Sequence, residues 1–274
     1  MTDQGDPLAR IADALERIAP PQDNTDWLGS PAYAWDAKCG RAIDRLMAPA
    51  LSTLLAVDAQ KDAVVTNIAR LAKGHAAHDM LLWGARGMGK SALLRASIIS
   101  AQQSNPGAVA LVQVASDVLN ALPDLFRILA KQKRNFLVYI DDLGFSPEDT
   151  NGPRQLRSWL EGGVEARPDN VRLAVTSNRR SIVPREAAEQ DGALILRDAL
   201  DDALALSDRF GLSLGFHNCS QDEYLAIVAA YAKPAGLRFE DADALMWAKQ
   251  RGARSGRTAW QYVTELAGRA GRKL

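Results

Sequence analysis

"LLWGARGMGKSALL", residues 81–94, decides how this chain is read. An apolar run leads into glycines at 84, 87 and 89, then Lys90-Ser91, then a second apolar run. A glycine inside or beside a regular element costs roughly 0.5–1 kcal/mol relative to alanine, so three together need a reason. Gly84-Ala85-Arg86-Gly87-Met88-Gly89-Lys90-Ser91 fits G-x-x-x-x-G-K-[ST]. In that pattern successive backbone N–H groups turn inward around phosphate oxygens, which bulky side chains would obstruct. Lys90 supplies positive charge at the outer phosphates, Ser91 offers a hydroxyl to Mg²⁺, and the helix opening through Ala92 points its positive end at the anion. A glycine-rich turn with no ligand is the plain alternative, but a strand before the loop and a helix after it favour the phosphate cradle.

Outward from the loop, short apolar runs at 80–83, 109–114, 136–140, 171–176 and 212–216 alternate with helical patterns at 90–103, 117–132, 153–164 and 198–209. Continuous apolar strands separated by helices indicate a parallel sheet covered on both faces. The expectation is an α/β fold with five parallel core strands. From Ser220 onward only helical spacing remains, at 221–232, 240–250 and 256–270, which reads as a small all-helical domain. Upstream, 36–56 and 58–73 read as helices, and 7–19 as an amphipathic helix ended by Pro20-Pro21. The organisation expected is therefore an N-terminal helix and linker (1–35), an α/β core (36–219) and a helical lid (220–274).

Composition narrows the class. Of 274 residues, 47% are hydrophobic and 24% charged, an ordinary globular balance, and the formal net charge is zero. No overall basic field points to nucleic acid, although residues 251–274 carry six basic residues against Glu265. Cys39 and Cys219 have neither CxxC nor zinc spacing and read as reduced thiols. The acidic, amphipathic start does not read as a secretory signal, and no apolar stretch reaches membrane-spanning length, so a cytoplasmic protein is expected. His75, His78 and His217 lack a companion ligand set and read as non-ligands.

"FLVYIDDLGF", residues 136–145, ends an apolar strand in two acids. A strand next to the P-loop strand is expected to deliver an Asp that holds Mg²⁺ through the Ser91 shell, and Asp141 takes that role. Asp142 is then the candidate to polarise an attacking water. Alone, such a pair is equally a solvated strand end or a helix N-cap; with a P-loop upstream it reads as functional.

The P-loop, "YIDDLGF", "AVTSNRR" and "LSDRFGL", in that order, resemble an AAA+ ATPase over about residues 55–270. "LEGGVEARPDNVRLAVTSNRR" and "LSDRFGLSLGF" resemble more closely a bacterial AAA+ family designated only as a domain of unknown function. The resemblance implies that Asn178 orients water beside the γ-phosphate, with a turn residue as its plain alternative. It implies that Arg209 reaches into a neighbouring subunit's nucleotide, the alternative being a helix-end arginine on the dipole. Arg257 matches the lid arginine that touches nucleotide, with Arg254 as competitor, and Val57 and Asp58 stand where such proteins pack adenine. Arg179-Arg180 is open between a phosphate, subunit or nucleic-acid contact and a plain surface role. The Asp-Asp pair resembles replication initiators, helicase loaders and transposition helpers, whereas many AAA+ motors have Asp-Glu; the shorter acid reaches less far.

The resulting expectation is a Mg²⁺-dependent ATPase that hydrolyses ATP at the interfaces of a homo-oligomer, with a hexamer as one closed form, and remodels an unidentified protein partner. The rivals are an ATP-controlled switch or loader with slow hydrolysis, acting on nucleoprotein complexes in one form, and a P-loop protein that holds nucleotide structurally. Nucleic acid has no recognised reader module in its favour, and a pore-loop signature for polypeptide threading is absent.

Overall fold

The computed structural model describes residues 25–144, 151–161, 167–178 and 208–274. The helix expected at 7–19, Arg179-Arg180 and nearly all of the helix expected at 198–209 lie outside them. Seven strands form one sheet in the order β2-β1-β4-β5-β6-β3-β7. They are β1 (Ala32–Trp35), β2 (Gly40–Ile43), β3 (Met80–Gly84), β4 (Val109–Val114), β5 (Asn135–Ile140), β6 (Val171–Ser177) and β7 (Leu212–Phe216). Between and after them run α1 (Asp58–Ala72), α2 (Lys90–Ser104), α3 (Leu122–Leu129), α4 (Asn151–Glu161), α5 (Gln221–Ala232), α6 (Asp241–Gln250) and α7 (Gly256–Arg269). The five apolar runs are strands that pair in parallel, so the class is α/β as expected.

Two strands were not expected. The segment 36–56 is not a helix. It opens with the turn and second strand of the β1–β2 hairpin, antiparallel within itself, whose β1 pairs in parallel with β4. Ala37 turns the chain at φ +75°, and the Asp36 carboxylate accepts from the N–H groups of Lys38 and Cys39, both at 2.9 Å. The rest is irregular apart from one 3-10 turn at Leu51–Thr53. The apolar spacing of this stretch imitates a helix, but Pro49 interrupts it and the sheet edge offers its backbone better partners. β1 also lies inside the stretch expected as linker, and it is part of the core sheet.

The sheet separates two apolar layers, as the two-residue alternation of a strand requires. Leu137 and Tyr139 of β5 face one layer with α1, α2 and the C-terminal helices, while Phe136, Val138 and Ile140 face the other with α3, α4, Trp27 and Trp35. The C-terminal helices begin at a capping box: Ser220 Oγ accepts from the Glu223 N–H at 3.2 Å and Glu223 Oε2 accepts from the Ser220 N–H at 2.7 Å. Among the described residues no helix is long and apolar enough to cross a membrane.

One buried arginine ties the added edge to the core. Arg134, 5% exposed, donates to the carbonyls of Trp27, Leu28 and Ser30 from Nη1 and to those of Pro106 and Val109 from Nη2. Removing it leaves several carbonyls short of a donor in a dry site, each costing about 1–3 kcal/mol. Arg134→Met should therefore lower stability by roughly 3 kcal/mol or more and the melting temperature by roughly 6–12 °C. Arg127→Met, which removes only an exposed pairing with Asp124, should change stability by less than about 1 kcal/mol. Thermal unfolding of the two variants checks both.

Candidate functional site

β3 leaves the sheet at Gly84, where φ is +114° and a Cβ would stand 2.1 Å from the Phe216 carbonyl oxygen of β7. Only glycine combines that backbone with that approach. The next N–H, of Ala85, donates to the same Phe216 oxygen at 2.7 Å, so β7 anchors the loop at its first step. Gly84 and Ala85 do not line the cleft beyond; they turn their carbonyls to Lys90, whose Nζ donates to Gly84 O at 2.8 Å and to Ala85 O at 2.9 Å. Its third proton goes to Asn178 Oδ1 at 3.4 Å. Burial lowers the Lys90 pKa, and the charges of Asp142 and Asp141 partly restore it.

Asp141 reaches the loop from the end of β5. That strand is not the neighbour of β3, as expected, but the next but one, because β6 lies between them. Ser91 Oγ donates to Asp141 Oδ1 at 2.8 Å across this span. Thr176 Oγ1 of β6 donates to the same oxygen at 2.7 Å and accepts from the Asp142 N–H at 2.8 Å. Burial pushes the Asp141 carboxyl up, but the hydroxyls of Tyr139, Thr176 and Ser91 and the charge of Arg95 outweigh it and hold the group below the ordinary range. It is ionised at neutral pH. Asp142 has a left-handed backbone, φ +52°, and its carboxylate accepts from Asn178 Nδ2. Asn178 thus bridges Lys90 and Asp142. A hydroxyl and a carboxylate side by side make an all-oxygen donor set suited to a hard divalent cation such as Mg²⁺.

The cleft above these groups has a volume of about 770 Å³ and is lined by residues 86–92 of the loop, including Arg86, Gly87, Met88 and Gly89. Asp141, Asp142, Thr176 and Asn178 form its polar end. Met47, Pro49, Leu54 and Val57 form an apolar wall, faced by Ile227 and Tyr231 of α5 and Trp260 of α7. Tyr231 and Trp260 meet edge to face with centroids 5.2 Å apart. Of the two residues expected beside a base, only Val57 lines the cleft; Asp58 pairs with Lys61 at 2.7 Å with its side chain 72% exposed. The competing arginines also separate. Arg257 lines the cleft and its N–H donates to Gly87 O at 3.0 Å, whereas Arg254 donates to Cys219 O at 3.5 Å and does not line it.

Arg209 is exposed and does not line the cleft. It precedes β7, whose first residue, Leu212, pairs with Met80 at the far end of β3 from Gly84. Four residues of strand separate the two ends by roughly 13 Å. Among the histidines, the backbone of His78 is held by Asn67 through two 2.9 Å bonds and the ring of His217 packs edge-on to Trp83. Sequence reasoning missed Thr176, Arg95, Tyr231, Trp260 and the 47–55 wall. Thr176 and Arg95 carried a signal, lying two residues from Asn178 on a strand and one helical turn from Ser91; the others are brought in by tertiary packing alone.

A core sheet ordered β4-β5-β6-β3-β7, a glycine loop leaving β3 and C-terminal helices packed over that loop make up the AAA+ P-loop fold. Solved structures of similar fold include Aeropyrum pernix Orc1 in complex with DNA (15% identity, TM-score 0.56, 81% of this chain and 65% of that chain). RuvB of Thermotoga maritima, a Holliday junction branch migration motor, matches at 18% identity and TM-score 0.53, over 83% of this chain and 68% of that one. Domain III of the Thermotoga maritima replication initiation protein DnaA matches at 14% and 0.52, over 82% and 91%. Curated protein sequences returned no match. The family described as "Protein of unknown function (DUF815)" matches residues 29–270, and the chain belongs to it.

The cost of crowding the loop is measurable. Gly84→Ala meets the Phe216 backbone and a backbone angle worth about 1–3 kcal/mol of strain, so its melting temperature should fall by at least several degrees. Gly268→Ala, in open space on α7, should raise stability by up to about 1 kcal/mol. Thermal melts of the pair test the opposite signs.

Proposed function

We propose that this chain is a Mg²⁺-dependent ATPase that binds ATP in the cleft and hydrolyses it at interfaces between copies of itself, the cycle changing the angle between a lid (220–274) and the core to remodel a partner. The observation that carries the reading is the 2.8 Å bond from Ser91 to Asp141, which joins the glycine loop to an ionised acid across an intervening strand. Ser91 and Asp141 would hold Mg²⁺, which when bound neutralises phosphate charge. Lys90 exchanges the Gly84 and Ala85 carbonyls for phosphate oxygens, and Arg257 approaches from the lid. The apolar wall with Val57, Tyr231 and Trp260 takes the base, while Asp58 stays outside it. Asp142 accepts a proton from the water that attacks the γ-phosphorus, Asn178 orients that water, and ADP leaves with the broken phosphoanhydride oxygen. Arg209, which precedes β7 at the end of the strand remote from the loop, serves a neighbour's cleft rather than its own, which makes the working form a homo-oligomer, a hexameric ring in its closed version. We place the protein in the cytoplasm.

A second reading, an ATP-controlled switch with slow hydrolysis, is favoured by the short Asp142 side chain and its hydrogen bond with Asn178. The named roles of RuvB and Orc1 make DNA the first partner to add. Turnover that stays low until DNA or a protein partner is supplied supports the switch.

Turnover per subunit should rise with protein concentration and fall by roughly 10³-fold or more in Arg209→Ala. A rate independent of concentration and of Arg209 would sink the shared-site assignment. In equilibrium binding, Arg257→Ala should weaken ATP by about tenfold, while Arg254→Ala should stay within about twofold of wild type.

A further inference from the structure

We infer that Thr176 is a positioning residue that holds Asp141 and Asp142 in separate roles, one carboxylate for the metal and the other for the attacking water. The inference rests on reading the cleft as a Mg²⁺–nucleotide site. Thr176 is 1% exposed, and its single hydroxyl makes both bonds: 2.7 Å to Asp141 Oδ1 and 2.8 Å from the Asp142 N–H. Their directions are fixed, because a backbone N–H only donates and an ionised carboxylate only accepts. Ser91 donates to the same Asp141 Oδ1, so that oxygen carries both hydroxyls. The Ser91 and Thr176 bonds both fall on Oδ1 and neither falls on Oδ2, the oxygen that would face a cation.

The second half of the device acts on the backbone. Asp142 sits at φ +52°, a conformation that costs a non-glycine residue free energy and needs neighbours to impose it. Thr176 imposes it twice, through its hydroxyl at the Asp142 N–H and through its carbonyl, which accepts from the Leu143 N–H at 2.8 Å. One residue past the end of β6, Asn178 donates from Nδ2 to the Asp142 carboxylate. The end of β6 therefore turns two adjacent acids in different directions, and the Thr176 oxygen is the atom shared between them.

Thr176→Val keeps the branched shape and strand preference and deletes that oxygen; Thr176→Ser keeps the oxygen. The readout is Mg²⁺-titrated binding of a fluorescent, non-hydrolysable ATP analogue to the full chain, alongside binding of the same analogue in EDTA and steady-state kcat and KM. In Thr176→Val, metal-free binding should stay within about twofold of wild type, while half-saturating Mg²⁺ rises and kcat falls, each by about tenfold, as for loss of a hydrogen bond to a charged group. KM at saturating Mg²⁺ should hold, and Thr176→Ser should recover both values to within about threefold. Thr176→Ala carries the same expectation should the valine variant not fold. An unchanged Mg²⁺ midpoint and kcat in Thr176→Val, or a Thr176→Ser variant as impaired as the valine one, overturns the assignment. A wild type that binds no nucleotide under any condition overturns the ATPase reading itself, and this inference with it.

Discussion

The whole site depends on the place where β3 leaves the sheet. Gly84 lies against the Phe216 backbone so closely that no side chain fits, and Ala85 then bonds to the same carbonyl. That contact sets the direction in which the loop departs, and with it where α2 begins and where Lys90 and Ser91 point. The carbonyls turned out by the bend are satisfied by Lys90 itself. β3 has parallel partners on both sides, β6 and β7, so the bend is held from both. A loop suspended from the interior of a sheet is held rigidly, with its backbone N–H groups fixed in place.

Around that bend the charged groups form one connected chain: Lys90 to Asn178, Asn178 to Asp142, Asp142 through its own N–H to Thr176, Thr176 to Asp141 and Asp141 to Ser91. Burial alone would favour the neutral forms of Lys90 and Asp141. The hydroxyl donors and the Arg95 charge reverse this for Asp141, while the two acids only moderate it for Lys90. Partly buried polar chains of this kind are rigid when every member is satisfied, and the geometry they fix is the one a metal and a phosphate would require.

The C-terminal helices are fitted to the loop as well as to the sheet. A Cβ at Gly87 would stand 2.8 Å from Ser255 Oγ and 2.9 Å from Arg257 Cβ, and the Arg257 N–H donates to the Gly87 carbonyl. Any rotation of α7 is therefore felt directly at the glycine loop. The apolar wall contributed by residues 47–57 closes the other side with a segment that has little regular structure of its own. Packing from both directions gives it a defined shape.

Much of this was legible in the sequence, because the signals involved are local. Glycine spacing around Lys90-Ser91, the apolar run that ends in Asp141-Asp142, and the three helical patterns after Ser220 each report on a few neighbouring residues. Five parallel strands and the three C-terminal helices follow from them. What the sequence could not decide was which distant segments would meet. β1 is four residues long and pairs with β4, and Arg134, more than a hundred positions away, holds the Trp27–Ser30 turn before it; against a helical reading of 36–56 the sequence itself offers only Gly40 and Pro49. The interposition of β6, the exclusion of Asp58 and Arg254 from the cleft, and the double role of Thr176 have the same origin. Local periodicity dictates which residues form strands and helices; strand order and the register of β5 against β6 decide which oxygen atoms come within hydrogen-bonding reach.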